Sequence, residues 1–147
     1  MSDIAVVPLS NAIGAEIRGV DLREPLTADA ARTIEQAWYD HVVIVLRDQD
    51  ISLDQQKVFA ANFGEIAIRQ RTGATAAERA LGDNVMLVSN IRENGEQIGK
   101  LPDGEMMFHS DTPYFENPQK ATLLYAIEVP TEGGETLFSN SYKVAES

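Results

Sequence analysis

Apolar residues recur with helical spacing early in the chain. Ala30, Ala31, Ile34, Ala37 and Trp38 share one stripe of a 3.6-residue period. Thr27 stands where a side-chain oxygen can cap the first free amides, and Asp29 brings negative charge to the first turn. This spacing predicts a helix over about 28–40. A second helix is predicted over 53–62: Ser52 and Gln55 have capping-box spacing, Val58, Phe59 and Phe63 supply an apolar face, and Gly64 can take the left-handed conformation that stops a helix.

Strand patterns fill much of the rest. Ile13 to Leu22 alternates around Gly14 and Gly19, with Ala15, Ile17 and Val20 as apolar positions, and reads as one or two short strands. Val42-Val43-Ile44-Val45-Leu46 is a continuous β-branched run, the pattern of a strand buried on both faces that crosses the middle of a sheet. Val85 to Val88, Ala121 to Glu128 and Thr136 to Phe138 read as further strands, with a tight turn at Pro130-Thr131-Glu132-Gly133-Gly134. Between Arg69 and Asp83 the chain becomes polar and small and reads as a mobile loop or lid. Asn90 to Gly104 reads as a second loop. The elements do not alternate as in a doubly wound sheet and no repeat is apparent, so an α+β domain centred on a β-sandwich is expected.

Composition narrows the function classes. A chain of 147 residues is long enough for one domain, or part of one. A net charge of -11 repels phosphate backbones and anionic membrane surfaces, which argues against nucleic acid and membrane partners. With 44% hydrophobic and 24% charged residues, the composition is that of a globular protein. The chain has no cysteine, so any metal would need His and carboxylate ligands. The N-terminus lacks a basic start and long apolar run, and no stretch has the length of a membrane span; a cytoplasmic protein is the simplest expectation.

His109 and Asp111 carry the candidate chemistry. In an extended chain, side chains two residues apart share a face, so this imidazole and carboxylate can reach one metal ion. A third ligand would complete a 2-His-1-carboxylate facial triad with positions left open. Taken alone the spacing is common, and an ordinary surface or core histidine accounts for it as well. The other histidine, His41, falls at a predicted helix end, where its charge would complement the helix dipole and its role is structural.

The surrounding residues add specificity. Phe108-His109-Ser110-Asp111-Thr112-Pro113-Tyr114-Phe115, the run from Ala121 to Pro130, and Gly133-Gly134-Glu135-Thr136-Leu137-Phe138 together resemble the taurine and 2,4-dichlorophenoxyacetate dioxygenase family. Ile13 to Leu22, Val45 to Gln49 and Phe63-Gly64-Glu65 resemble its upstream blocks, so the likeness covers nearly the whole chain. The resemblance implies a double-stranded β-helix, the jelly-roll or cupin-like core, with flanking helices. It also implies an Fe(II) enzyme in which dioxygen oxidises 2-oxoglutarate to succinate and CO2 while a small anionic substrate is hydroxylated. Sulfonates, sulfate esters and aryloxy acids are the substrate classes.

By the same resemblance, His109 and Asp111 are the first two iron ligands and Thr136 hydrogen-bonds a carboxylate of 2-oxoglutarate. Arg69 falls where the taurine enzymes place a substrate-contacting histidine; a guanidinium can grip a sulfonate, sulfate or carboxylate with two hydrogen bonds. Phe108 and Tyr114 are candidate pocket residues, although aromatics at strand spacing also serve as core. Family members are about twice this length. Their second iron-binding histidine and the arginine that pairs with the far carboxylate of 2-oxoglutarate lie beyond the residues matched here. The chain is expected to be the N-terminal portion of one dioxygenase domain, residues 1–147. It would be either cut from a longer enzyme or a short form that completes its sheet and site as a homo-oligomer or with another chain. Two rivals share the fold: a non-catalytic member that binds small anions or partners, and a cupin-like metal enzyme that uses no oxo acid.

Overall fold

The computed structural model describes residues 4–68, 75–99 and 106–146. In chain order the elements are β1 (Ala5–Pro8), β2 (Ala15–Arg18), α1 (Ala28–His41), β3 (Ile44–Val45), α2 (Leu53–Ala60), α3 (Ala76–Leu81), β4 (Arg92–Glu93), β5 (Glu96–Gln97) and α4 (Ser141–Ala145). They fall into two compact units, one of Met1–Glu65 with Leu123–Ser147, the other of Ile66–Thr122. Helices and small sheets coexist, as expected of an α+β chain. Among the described residues, no helix is long and apolar enough to cross a membrane.

The first unit is organised by α1. Thr27 caps it as expected, its hydroxyl accepting from the Ala30 amide at 3.2 Å. The stripe delivers Ile34 and Ala37 to a core shared with Ile17, Leu22 and Phe59. Partly buried Ile4, Val6, Val20, Leu26, Ile44, Leu46, Ile51 and Phe63 pack around it. Strand β2 supplies the sheet's contribution by alternation: Ala15 and Ile17 point inward, while Glu16 and Arg18 pair on the outer face at 2.9 Å. It lies at the centre of a three-stranded sheet, antiparallel to β1 and parallel to β3.

The Val42–Leu46 run therefore departs from expectation. Its ladder is two residues long and lies at the sheet edge. The cause is the helix exit. Val42 adopts φ 68°, donates its amide to the Trp38 carbonyl at 2.7 Å, and stands inside a turn closed by Val43 N–H to His41 C=O at 2.8 Å. Val42 is thus spent on the turn, and Val43 joins β2 only through its carbonyl, which accepts from Ala15 N–H at 3.0 Å. His41 itself ends α1 and its carbonyl accepts from Gly14 N–H at 2.9 Å, a structural placement.

Helix α2 has both arms of the capping box, Ser52 Oγ to the Gln55 amide and Gln55 Oε1 to the Ser52 amide. It ends at Ala60, before Gly64. Asn62 closes it by donating its side-chain amide to the carbonyls of Val58 at 2.9 Å and Phe59 at 3.0 Å. Gln49 holds the segment between β3 and α2 to the loop after β2, accepting from Leu22 N–H and donating to Val20 C=O. Tyr125 reaches back to the same place, donating to Gln49 C=O at 3.2 Å and accepting from Ile51 N–H at 3.3 Å.

Asp21, beside that loop, carries a titration signature. Hydrogen bonds from the Arg23 side chain and then from its backbone amide hold the Asp21 carboxyl at about 2, below its ordinary 3.8. A folded-state value below the unfolded one stabilises the fold above the unfolded value and is lost as pH falls from about 4 towards 2. The pair is exposed, so the contribution is small and salt-screened. Carboxyl NMR titration is expected to place Asp21 well below an ordinary aspartate, and Arg23→Ala to return it there; an unmoved midpoint in the variant would remove Arg23 as the cause.

The second unit contains an element where a loop was expected. Residues 75–83 hold α3, capped by a reciprocal box between Thr75 and Glu78. The Thr75 hydroxyl also donates to Ile98 C=O at 2.8 Å, tying the helix start to the chain after β5. Within the second expected loop, β4 and β5 form a hairpin around Asn94-Gly95, both with positive φ, the turn chemistry that favours a two-residue hairpin. Among the described residues, Val85–Val88 forms no strand.

Gly99 fits where no side chain would. A Cβ there would lie 2.6 Å from the Leu87 carbonyl oxygen and 2.8 Å from Ser89 N and Cβ. Gly99→Ala is expected to cost about 1–3 kcal/mol as the backbone moves apart. Faster amide hydrogen exchange across the hairpin would register it, and unchanged exchange would show that the approach tolerates a methyl.

Toward the end of the chain, Ala121–Glu128 and Thr136–Phe138 form no ladder among the described residues, contrary to the strand pattern. The turn between them does form, with Gly133 and Gly134 at φ 76° and 75°, a pair of conformations that side chains resist. Asn140 then caps α4 and donates to Ala12 C=O at 2.8 Å.

Candidate metal centre

His109 and Asp111 lie in the second unit on a stretch without helix or ladder, where side chains two apart can converge. His109 Nε2 stands 3.4 Å from Asp111 Oδ1. Each side chain is oriented from its far side. His109 Nδ1 is 3.0 Å from the Met107 carbonyl, and a carbonyl can only accept, so Nδ1 carries the proton in that contact. Asp111 Oδ2 accepts from the Thr122 hydroxyl at 2.7 Å.

The remaining atoms, Nε2 and Oδ1, then face each other with lone pairs. Two such atoms at this distance repel unless a positive charge lies between them, either a proton on Nε2 or a metal ion. Donors at metal-bond lengths on adjacent octahedral positions stand about 3.0 Å apart, so small torsional adjustments would bring this pair onto one ion. Imidazole nitrogen and carboxylate oxygen are a donor set that Fe(II) and Mn(II) accept. The residues present fit two positions of such a centre. Among the described residues, no group of three His, Cys, Asp or Glu side chains is placed to hold a metal.

The chain reverses directly after Asp111. Thr112 takes φ 53°, a rare conformation for a β-branched residue. Its carbonyl accepts from Phe115 N–H at 3.2 Å and its hydroxyl from Gln119 N–H at 3.1 Å. This closed turn returns the chain so that Thr122 meets Asp111.

The other expected site residues are placed as follows. Phe108 and Tyr114 are exposed, and Tyr114 tilts against Phe115 with ring centroids 4.8 Å apart. Neither serves as core in the described structure. Thr136 belongs to the first unit and is exposed, two residues past the Gly133-Gly134 turn. Arg69 lies outside the described residues. Open cavities of about 390 and 480 Å³ occur in the first unit, one beside Asp21 and Arg23, the other along α1 near Val6, and neither is lined by an expected site residue.

Sequence reasoning missed Thr122 and the Met107 carbonyl. No local signal marks Thr122, since its contact depends on the Thr112 turn; the Met107 contact follows from two-residue spacing.

Comparison with known proteins decides the lineage. Residues 5–147 match the family described as taurine catabolism dioxygenase TauD, TfdA. The chain belongs to this family. Among curated TauD/TfdA relatives, pentalenolactone F synthase of Streptomyces avermitilis is 34% identical over 148 residues, covering 99% of this chain and 47% of its own length. The alpha-ketoglutarate-dependent 2,4-dichlorophenoxyacetate dioxygenase of Cupriavidus pinatubonensis is 34% identical over 139 residues, covering 89% of this chain and 48% of its own. The alpha-ketoglutarate-dependent sulfate ester dioxygenase of Pseudomonas putida is 31% identical over 140 residues, covering 95% and 42%. The chain thus spans about half the length of the curated relatives it matches. A solved taurine dioxygenase from Burkholderia xenovorans is 37% identical at a TM-score of 0.44, over 48% of this chain and 26% of that one.

Proposed function

We propose that this TauD/TfdA chain is the N-terminal portion of an Fe(II)- and 2-oxoglutarate-dependent dioxygenase domain with a jelly-roll core. The observation that carries the reading is the convergence of His109 Nε2 and Asp111 Oδ1 at 3.4 Å. Each is fixed from behind, and together they present two donors of a facial triad. Family membership and the names of the relatives support the same chemistry.

In this reading, Fe(II) supplies the site at which dioxygen and 2-oxoglutarate react, giving succinate, CO2 and a hydroxylated substrate. This chain's residues bind and orient. His109 and Asp111 hold the ion from one side, leaving positions for the cosubstrates. Thr136, after the Gly133-Gly134 turn, donates its hydroxyl to a carboxylate of 2-oxoglutarate. By resemblance, Arg69 would engage the anionic group of a sulfonate, sulfate ester or aryloxy acid, and Phe108 and Tyr114 would offer apolar surface to the substrate. By the same resemblance, the third ligand and the partner of the distal carboxylate would lie in the half of the family domain that this chain does not span.

The test is succinate formation from 2-oxoglutarate by the full-length protein that carries this chain, with and without Fe(II), across a panel of sulfonates, sulfate esters and aryloxy acids. Iron-dependent succinate coupled to substrate loss is the expected result. Iron binding without any turnover of the oxo acid would move the assignment to a metal-dependent enzyme of another kind. No metal binding at all would leave a binding module.

A further inference from the structure

We propose that Thr122 is a positioning residue of the metal centre, its hydroxyl holding Asp111 so that a single carboxylate oxygen faces His109. This rests on the reading of His109 and Asp111 as metal ligands. The Asp111 side chain is 49% exposed, so packing does not fix its rotation. The 2.7 Å hydrogen bond from Thr122 to Oδ2 restricts it, at the distance expected of a hydroxyl on a carboxylate. Its direction matters more than its strength. With Oδ2 engaged by Thr122, Oδ1 is the oxygen left toward His109 Nε2.

Two consequences follow for an ion placed there. The carboxylate is pre-aimed, so less rotational freedom is lost on binding. It is also biased toward one-oxygen coordination, because gripping the ion through both oxygens would pull Oδ2 from the hydroxyl. One-oxygen coordination keeps a position free for a cosubstrate. The contact spans eleven residues through the Thr112 turn, whose own hydrogen bonds to Phe115 and Gln119 set the return of the chain. Outer-shell partners of this kind typically alter metal affinity by roughly 10–100-fold when removed.

Mn(II) titration of the full-length protein that carries this chain, followed by loss of the free-ion electron paramagnetic resonance signal, tests the assignment. Thr122→Val keeps the shape and removes the hydroxyl; it is expected to weaken Mn(II) binding roughly 10-fold or more. Thr122→Ser keeps the hydroxyl and is expected to bind within a few-fold of the unaltered protein. Circular dichroism should show the same fold in all three. If the valine variant folds poorly, Thr122→Ala removes the same hydroxyl and is read in its place. Valine binding as tightly as threonine, or serine as weakly as valine, overturns the role of the hydroxyl. Should the unaltered protein bind no Mn(II), or His109→Ala bind it equally well, the ligand reading itself fails and takes this inference with it.

Discussion

His109→Ala is expected to lower Mn(II) or Fe(II) affinity by roughly 100-fold or more, beyond the range for loss of an outer-shell partner, and to abolish iron-dependent succinate formation. In the proposed centre the substitution removes Nε2, one of the two donors this chain would contribute, and would leave Asp111 to hold the ion from that side alone. The fold should barely respond, because the His109 side chain is 57% exposed and surface changes away from caps and core generally stay within about 0.5 kcal/mol. His41→Ala is the matched control, since the chain has two histidines and His41 ends α1. Metal titration of the pair decides the matter. Equal losses in both variants would point to nonspecific binding by imidazole, and no loss in either would remove His109 from the centre.

What could be read from sequence follows how local each interaction is. Helix α1 and the start of α2 were legible because their caps lie within three residues of the amides they satisfy, and a 3.6-residue stripe identifies the buried face. The same logic was available for α3, where Thr75 and Glu78 have capping-box spacing. The small polar residues ahead of them made the segment look like loop. Asn94-Gly95 likewise carried a hairpin signal inside a segment that otherwise reads as loop. Strands were legible less well, because a β-branched run becomes a strand only when another segment accepts its hydrogen bonds. Val85–Val88 and Ala121–Glu128 have the composition and lack such a ladder among the described residues. Short β1 was missed for the converse reason, four residues ending in Pro8 made into a strand by pairing with β2.

The site divides in the same way. His109 and Asp111 stand out in the sequence because two-residue spacing lets them share a face of an extended segment and because the residues around them resemble the dioxygenase family. Thr122 reaches Asp111 only after a left-handed residue, a turn and eleven positions, and no spacing rule encodes that path. Val42 makes the parallel case in the first unit. Its hydrophobicity promised a buried strand, and its φ of 68° spends it on the helix exit instead.

Ile34→Ala is expected to destabilise the first unit by about 2–5 kcal/mol. Ile34 is fully buried where α1 meets the rest of the core, against Ile17, Leu22 and Phe59. Removing its outer methyl groups forfeits their burial and leaves a cavity that β2 and α2 can fill only by shifting. A domain stable by about 5–15 kcal/mol would lose a large share of that margin. Trp38, the single tryptophan, lies on α1 and reports on this unit. Urea unfolding followed by its fluorescence should show an earlier midpoint with little change in slope. Val58→Ala on α2, where the side chain is about half exposed, should lose less than about 1 kcal/mol by the same measurement. If both variants shifted alike, the core would not be centred on Ile34, and the packing of α1 against β2 would need another account.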